Sequence, residues 1–576
     1  MKNFLLTMIF VMGCAMGVSA QELPHMQQSK AGKTQLIVDG KPFIALAGEL
    51  HNSTTGSVEN MRGLWKRMAD KNLNTVVAPI SWELLEPEEG KFDYTLLDAM
   101  ITGAREQNLK LVVLWFGSWK NGTSTYAPLW VKTNPKRFPL VKNAKGDDTN
   151  TLSTLGAETL KGDANAFAHM MKRIKEVDKD HTVIMIQVEN EIGTLDMAAS
   201  YMGGANTMRR DYNQLAEKAY KGQVPETLTA YLKQHQKELH PAILNAWNAN
   251  GNKMKGTWEE VFGKSQEDKN GGMESYSYLT EEIFMAWNYA SFVGQVASAG
   301  KSELALPMYV NAWMKQPKQT EPGFYPSGGP LAHLIDIWRA GAPSIDFIAP
   351  DIYATEIFDW ICEGYTRSGN PLFIPETRVD AGGAARTFYA IGKYGALCYS
   401  PFGIDGGGLT LSADPNEKLI DQVYGTLDML MPYLQEHIGT GKMAGFFLEG
   451  DKKTDTVEMG AYKVSLGKFN TSASMAMFGV ATDDAAVTEL PTGALVIQTA
   501  SDEFIVAGGI GSMSLSISKG NGSKAKHVAY AQVDEIRRDA DGKIYTHRLN
   551  GDETAFGGAT VQQGQCKAFR IKMYEY

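Results

Sequence analysis

The feature that most constrains the fold is an alternation, from Thr34 to Tyr433, of short apolar runs with longer amphipathic stretches. Short buried strands that alternate with helices are typical of a parallel sheet covered on both faces. Asp93 and Asp163 are interpreted as caps of two of these helices. The number and order of the runs predict an α/β fold, a (β/α)8 TIM barrel, with an open doubly wound sheet as the alternative. The eight predicted strands are residues 42–48, 74–80, 109–116, 182–188, 304–310, 345–349, 371–375 and 396–400.

Two regions depart from this alternation. Residues 194–300, after the fourth predicted strand, are mostly helical in pattern, and we interpret them as an insertion into the barrel. In the last part of the chain, short β-type runs such as Leu495–Thr499 alternate with turns rich in Gly, Asn and Asp, which predicts a β-sandwich. We therefore assign residues 21–436 to the barrel and residues 437–576 to a second domain.

The start of the chain has the features of a secretory signal over residues 1–20. Lys2 provides the positive charge, residues 4–11 the apolar stretch, and Val18-Ser19-Ala20 a small-residue cleavage site. The apolar stretch is much shorter than the ~20 residues of a membrane-spanning helix, and no later segment supplies one. We predict an exported protein, periplasmic or extracellular, without a membrane span. Lipid attachment at Cys14, which would anchor the protein to an outer surface, is the alternative.

Composition argues against several classes of function. The net charge of −9 does not favour nucleic acid as a partner, because phosphate binding requires a basic surface. The ten histidines are scattered without the spacing of a metal site, and Gly406-Gly407-Gly408 lacks the Lys-Ser/Thr of a phosphate loop. No metal and no cofactor are therefore expected. The sequence leaves the oligomeric state open.

The chemically informative residues follow the predicted strands, because barrel active sites lie at the carboxyl ends of the strands. The fourth strand leads into Val188-Glu189-Asn190-Glu191, and the seventh leads into Glu376. Two glutamates at one mouth of a barrel are the arrangement that a two-carboxylate glycosidase requires. A second Asn-Glu pair, Asn416-Glu417, begins a polar helix with no apolar strand before it, so we assign it no such role.

These residues resemble a known group of enzymes, the clan A glycoside hydrolases, in which an Asn-Glu pair ends strand four and a glutamate nucleophile ends strand seven. Residues 188–191 look most like family 35, the β-galactosidases. Gly48-Glu49-Leu50-His51 resembles the end of that family's first strand, and residues 74–87 resemble its second strand and following loop. The resemblance covers roughly residues 35–435. The β-rich tail is similar to the accessory domain of a bacterial subgroup of that family.

The chain departs from the family pattern at three places. Asn52 stands where the family usually has a tyrosine. Residues 117–121, Gly-Ser-Trp-Lys-Asn, replace an Ala-Glu-Trp motif whose glutamate contacts sugar hydroxyls. Glu376 is followed by Thr377 instead of an aromatic residue. We expect the reaction chemistry to be shared with the family more fully than the specificity for galactose.

The resemblance implies a carbohydrate substrate and a retaining mechanism with two catalytic glutamates. Glu376, held ionised by Arg378 or a tyrosine, is expected to attack the anomeric carbon, while Glu191 acts first as acid and then as base. The charge of Glu376 is expected to raise the pKa of Glu191. Asn190 is expected to bind the sugar 2-hydroxyl. The remaining candidates for substrate binding, all near predicted strand ends, are Glu49, His51, Trp119, Lys120, Tyr353, Trp313 and Phe402.

The resulting prediction is a secreted, exo-acting β-galactosidase. Another clan A specificity, such as a β-glucosidase, β-mannanase or exo-glucosaminidase, is the nearest alternative. A metal-dependent barrel hydrolase is another alternative, but it would require a His-x-His motif after the first strand, where this chain has Glu49-Leu50-His51. A non-catalytic sugar-binding barrel is the third alternative, although it would not need both glutamates.

Overall fold

The computed structural model describes residues 22–410, 417–468, 489–549, 553 and 558–576. The predicted signal segment with Cys14 lies outside the described residues, as does Asn416. Within the described ranges, no helix combines the length and apolar character needed to cross a membrane.

Two small antiparallel elements accompany the main domain. The N-terminal sheet consists of β1 (His25–Gln28), β2 (Thr34–Val38) and β3 (Lys41–Phe43). Residues 42 and 43, which we had predicted to begin the first barrel strand, belong to this sheet and pair with β2. A hairpin of β7 (Leu140–Lys142) and β8 (Asp148–Leu152) lies farther along the chain.

Within residues 22–410, eight parallel strands form the predicted barrel. Their spatial order follows the chain, and the ring closes where Ile352 bridges Thr377 in parallel and Ile352 N donates to the Glu376 carbonyl at 2.9 Å. This closure confirms the TIM barrel over the open sheet. The barrel strands are β4 (Ala45–Glu49), β5 (Thr75–Ser81), β6 (Lys110–Lys120), β9 (Val183–Asn190), β10 (Met308–Ala312), β11 (Phe347–Pro350), β12 (Phe373–Thr377) and β13 (Cys398–Pro401).

Helices cover the outside of the barrel, and every residue of β5 and β9 is buried, as expected for strands covered on both faces. The helices are α1 (Leu64–Asp70), α2 (Trp82–Leu85), α3 (Thr95–Glu106), α4 (Leu129–Lys132), α5 (Ala157–Val177), α6 (Met197–Met202), α7 (Gln214–Tyr220), α8 (Glu226–Gln234), α9 (Pro241–Ala249), α10 (Trp258–Phe262), α11 (Leu279–Glu303), α12 (Ile335–Gly341), α13 (Phe358–Tyr365), α14 (Ala381–Tyr394), α15 (Glu417–Met429) and α16 (Met431–His437).

Two sequence predictions about these helices need correction. Asp163 does not cap a helix: it lies inside α5, buried, because its carboxylate accepts hydrogen bonds from the end of β6. The insertion after the fourth strand is also shorter than predicted. Helix α11 packs along α5 in the position of the barrel's own helix between β9 and β10, so the inserted part ends before residue 279. Asp93, in contrast, accepts a hydrogen bond from Thr95 N at 2.9 Å at the start of α3.

The C-terminal region is rich in strands, as predicted. Among its described residues, six strands form one sheet and four form another, and a separate apolar core lies between them. The larger sheet packs on α14 of the barrel, where Gly392, Gly445 and Gly493 leave no room for a Cβ atom. The strands are β14 (Met443–Leu448), β15 (Thr454–Met459), β16 (Tyr462–Gly467), β17 (Thr492–Ala500), β18 (Glu503–Ile510), β19 (Met513–Lys519), β20 (Val528–Arg538), β21 (Ile544–Arg548), β22 (Ala559–Val561) and β23 (Cys566–Glu575).

Candidate active site

The two predicted catalytic glutamates meet at the carboxyl-terminal mouth of the barrel. Glu376 is the penultimate residue of strand β12, and Glu191 follows β9 directly. Glu191 has a φ of 45°, a left-handed conformation that is uncommon outside glycine and redirects the chain at the strand end. Its backbone N–H donates to Asn311 Oδ1 at 3.0 Å, so the fifth barrel strand fixes this conformation.

Glu376 is held by three hydrogen-bond donors. Tyr353 Oη donates to Oε2 at 2.7 Å, while Asn190 Nδ2 and Asn311 Nδ2 donate to Oε1 at 3.0 and 3.3 Å. Of the two expected partners, the tyrosine is therefore present. The prediction for Arg378 is wrong, because its guanidinium pairs with Asp380 at 2.8 Å. Donors on both oxygens orient this carboxylate as a nucleophile requires.

Glu191 has the environment of an acid. Burial, followed by the charge of Glu376, raises the pKa of Glu191 to about 8, although Lys120 and a hydrogen bond with Asp351 act in the opposite direction. Glu191 is therefore protonated at neutral pH when Glu376 is ionised.

The carboxyl groups of Glu191, Glu376 and Asp351 lie close together, and one oxygen from each falls within 4.8 Å of the others. Within the described part of the chain, this is the group of side chains close enough to share a metal ion. Metal ligation requires ionised carboxylates, whereas the pKa values of Glu191 and Asp351 are raised, chiefly by burial.

Glu49 and His51 flank this cluster at the end of β4. Glu49 is 0% exposed, and neither of its carboxyl oxygens has a hydrogen-bond partner among the residues that the structure describes. Burial, then the charge of Glu376, raises the pKa of Glu49 well above its ordinary value. His51 lies at the rim, where its ring contacts Asp405 at 2.8 Å, the Gly408 carbonyl at 2.9 Å and the edge of Phe402. His51 and Phe402 thus hold the loop after β13, and sugar contacts by them stay predictions.

Lys120 and Trp119 have different environments although they are adjacent. Lys120 Nζ donates to Asn190 Oδ1 at 2.7 Å and lies 4.9 Å from the Phe116 ring centre, inside the site. Trp119 is 1% exposed, packs on Tyr289 and Phe292, and donates its indole N–H to the Leu152 carbonyl at 2.9 Å. The prediction that Trp119 lines the sugar site is therefore wrong, because its side chain is committed to the packing between β6 and α11.

An aromatic pair lies at the mouth of the site. Trp313 follows β10, and its ring packs edge-on against Tyr201 of α6 at 5.6 Å. Tyr201 is 65% exposed, and its hydroxyl pKa is raised by burial of part of the ring and by the charge of Glu191. The pair therefore lies on the Glu191 side of the site.

The chain was compared with families and curated proteins. A family model described as Beta-galactosidase, that of glycoside hydrolase family 42, matches residues 53–234, and a domain of unknown function, DUF5597, matches residues 420–559. Human Beta-galactosidase-1-like protein 3 is 26% identical over 178 residues, which are 30% of this chain and 25% of that protein. Beta-galactosidase of Xanthomonas manihotis is 32% identical over 87 residues, 14% of each chain. The chain thus spans a quarter or less of the length of these relatives.

Solved structures were compared in the same way. A catalytic mutant of a family 42 β-galactosidase from G. stearothermophilus gives a TM-score of 0.48 at 10% identity, covering 92% of this chain and 99% of that one. The catalytic domain of β-amylase from Paenibacillus polymyxa gives a TM-score of 0.47 at 13% identity, covering 66% of this chain and 96% of that one.

The matches of the barrel support the predicted class. The chain is similar to clan A glycoside hydrolases of the β-galactosidase type. Membership of family 35 is not confirmed, because the family model that matches is that of family 42.

Three residues of the site were missed by the sequence analysis. Asn311 is the penultimate residue of β10 and forms hydrogen bonds with the Glu191 backbone and the Asp351 carboxyl group. Asp351 directly follows β11. The rule that located the glutamates, polar residues at the carboxyl ends of barrel strands, would have located both. Tyr201 had no such signal, because it comes from the inserted region.

A second buried acid pair supports the site from behind. Glu189 accepts hydrogen bonds from the backbone N–H groups of Ser118 at 3.0 Å and Trp119 at 2.8 Å. Asp163 accepts from Ser118 N at 3.0 Å and from Trp115 Nε1 at 2.9 Å. Burial and the neighbouring Asp163 raise the pKa of Glu189 well above its ordinary value. The pair fixes the segment that carries Lys120.

Proposed function

We propose that the protein is a retaining, exo-acting β-galactosidase that releases terminal β-linked galactose by a two-glutamate double displacement. The observation that carries the proposal is the approach of Glu191 and Glu376, whose nearest carboxyl oxygens lie within 4.8 Å. Retaining enzymes have carboxyl groups about 5–5.5 Å apart, whereas inverting enzymes need about 6.5–9.5 Å for a water molecule. The observed approach supports a covalent intermediate.

In the first step, a Glu376 oxygen attacks the anomeric carbon as the bond to the leaving oxygen breaks, and Glu191 transfers its proton to that oxygen. In the second step, Glu191, now a carboxylate, takes a proton from water. The resulting hydroxyl attacks the anomeric carbon and displaces Glu376. Asn190 Nδ2, already on Glu376, is available to the sugar 2-hydroxyl, a contact that strengthens in the transition state.

The surroundings support attack at a chain end. Glu191 and Glu376 are only 6% and 4% exposed, which suits a pit for one sugar ring better than an open groove. Tyr201 and Trp313 stand on the Glu191 side, where a leaving group would lie. The assignment of galactose depends on the relatives named above and on the resemblance of residues 188–191 to family 35.

A panel of nitrophenyl glycosides that differ only in sugar and anomer tests the proposal. We expect turnover of the β-galactoside, with NMR showing the β anomer as the first product. Glu376→Ala should be inactive but form the α-galactosyl azide when azide is added, and Glu191→Ala should form the β-galactosyl azide. Release of the α anomer as first product contradicts retention, and turnover of another sugar alone contradicts the specificity.

A different clan A specificity is the second candidate, and Lys120 is the observation that favours it. This segment lacks the carboxylate by which family 35 contacts sugar hydroxyls, and the ammonium group of Lys120, bound to Asn190, lies there instead. The same panel decides between the two, because β-glucosides, β-mannosides and β-glucosaminides are part of it.

We also propose that residues 1–20 direct export of the enzyme. Mass spectrometry of the protein recovered from the periplasm or medium tests this, with Gln21 as the expected first residue. Acylation of Cys14 would favour the lipid-anchored alternative, and an uncleaved cytoplasmic chain would contradict export.

A further inference from the structure

We propose that Asp351 is the proton partner of Glu191: a neutral carboxyl group whose O–H stabilises the Glu191 carboxylate whenever Glu191 has given up its proton. This role rests on the proposed function, since it divides the acid–base work between two side chains of the same site. Asp351 would act through Glu191 and is therefore a positioning residue.

Asn311 fixes the two carboxyl groups relative to each other. Its Oδ1 accepts the Glu191 backbone N–H at 3.0 Å, and its Nδ2 donates to Asp351 Oδ2 at 2.9 Å. The Asp351 backbone N–H donates to the Ala312 carbonyl at 3.1 Å, so the buried side chain has little freedom. Because Asn311 donates an N–H to Oδ2, Oδ2 must be an acceptor. Oδ1 is therefore the oxygen of Asp351 that is available to another partner.

Asp351 Oδ1 is buried and has no hydrogen-bond donor from the described residues. A buried acceptor without a donor is costly, and native proteins rarely leave one. The neighbouring carboxyl group is that of Glu191, and one oxygen of each group lies within 4.8 Å of the other. Two carboxylate oxygens are both acceptors, so a hydrogen bond between these two groups requires a proton on one of them.

The charges around Asp351 favour the proton on its side. Glu376 of β12, Glu191 after β9 and Glu49 of β4 all face it, and each opposes a further negative charge. The cation of the site, Lys120, acts on Glu191 and Glu49. Burial, then Glu376, raises the pKa of Asp351 well above its ordinary value. Asp351 can thus stay neutral while Glu376 and Glu191 change charge.

The proposed role follows the reaction without adding a proton transfer. When Glu191 protonates the leaving oxygen, it becomes a buried carboxylate, and the O–H of Asp351 donates to it. The Asp351 proton remains on Oδ1 throughout, and the proton that Glu191 later takes comes from water. Without this donor the ionised form of Glu191 becomes more costly, which slows proton donation to a poor leaving group.

Two variants of Asp351 test the proposal. Asp351→Asn keeps the shape, the neutral charge and a donor, because Asn311 would hold its amide oxygen and leave its N–H toward Glu191. We expect kcat/KM on a methyl β-galactoside within about threefold of the wild-type value, with the alkaline limb of its pH profile unmoved. If Asp351 is instead ionised in the working enzyme, this variant removes a negative charge beside Glu191 and lowers the alkaline pKa, which would overturn the proposal.

Asp351→Leu removes the donor. We expect kcat/KM on the methyl galactoside to fall about 10–100-fold, the worth of a hydrogen bond to a charged group, while kcat/KM on dinitrophenyl β-galactoside stays close to wild type, because that leaving group needs no acid. Equal losses on both substrates would indicate a purely structural role and overturn the proposal.

A readout independent of turnover separates this proposal from the proposed function. The infrared carbonyl stretch of protonated carboxyl groups, recorded near pH 7, should lose intensity in Asp351→Asn and be unchanged in Asp70→Asn, a control at an exposed carboxylate paired with Lys66. If the enzyme prefers another glycoside, both kinetic comparisons are made on that sugar. If it hydrolyses none, the proposed function fails, and the infrared difference alone decides whether Asp351 carries a proton.

Discussion

Lys120 Nζ donates a hydrogen bond of 2.7 Å to Asn190 Oδ1, and this bond decides which side of the Asn190 amide faces the nucleophile. With the oxygen held by Lys120, the amide presents Nδ2 to Glu376 at 3.0 Å. Asn190 therefore offers its N–H groups, and not its oxygen, to Glu376 and to the space beside it. Lys120 is thus part of the support of the Glu376 carboxyl group.

Replacing Lys120 tests this relationship. Lys120→Met should lower kcat/KM about tenfold or more, because Asn190 loses its charged partner. Lys120 also lowers the pKa of Glu191, which is about 8. The alkaline limb of kcat/KM, expected near that value in the wild type, should therefore move to higher pH in the variant. A pH profile of both proteins measures the shift, and an unmoved limb would contradict the effect of the Lys120 charge on the pKa of Glu191.

Glu191 should make stability fall as pH rises. Its pKa is about 8 in the folded protein against the ordinary value of 4.5, so the folded state retains a proton that the unfolded chain releases between these values. The contribution of Glu191 to stability is complete below about pH 4.5 and is lost as the pH rises through about 8. Glu191→Gln stays neutral, so its Tm advantage over wild type should grow by roughly 2 °C or more from about pH 6 to about pH 9. A constant difference in thermal melts would contradict the raised pKa.

Tyr353 should matter for turnover more than for binding. Tyr353→Phe removes the 2.7 Å bond to the nucleophile, and kcat should fall about 10–100-fold with a smaller change in KM. Tyr94→Phe, which removes a 3.1 Å contact with His169 between α3 and α5, is the matched control and should keep wild-type kinetics. If both variants keep wild-type kinetics, the hydrogen bond from Tyr353 to Glu376 does not contribute to turnover.

Gly117 should tolerate no side chain. A Cβ at this position would lie 2.3 Å from Trp115 Nε1 and 2.7 Å from Glu189 Oε1. Gly117→Ala should therefore displace the buried acid pair, lower the Tm and reduce activity by moving Lys120. Gly467→Ala, at the end of β16, is the control: neither Gly117 nor Gly467 has a positive φ, and the atoms nearest to a Cβ at Gly467 would lie 3.9 Å away. Thermal unfolding of both variants measures the difference.

Tyr201 should contribute to binding of the leaving group. Tyr201→Ala exposes the edge of Trp313, and kcat/KM for a galactoside of another hexose should fall about 2–13-fold, the worth of one aromatic contact of about 0.5–1.5 kcal/mol. Methyl β-galactoside, whose leaving group is too small to reach the pair, should be hydrolysed as by wild type. An equal loss on both substrates would contradict an aglycone site.

The sequence located the two glutamates because both depend on local pattern and topology. A run of buried residues marks each strand, and the ends of parallel strands in a barrel meet at one mouth, so Glu191 and Glu376 had to converge. The hydrogen bonds around them did not follow in this way. Arg378 is expected beside Glu376 from the sequence, but its guanidinium forms an ion pair with Asp380 instead.

By itself, the sequence determined the barrel, its strand order, the C-terminal strand-rich region and the mouth at which chemistry takes place, because period and spacing act within a few residues or through fixed topology. Tertiary structure decided which neighbour in a pair such as Trp119 and Lys120 enters the site, and it placed Asp163 behind Glu189 and Asp351 beside Glu191. These contacts depend on the register between barrel strands that are distant along the chain and on the helices that pack outside the barrel. No local pattern encodes contacts between residues so far apart along the chain.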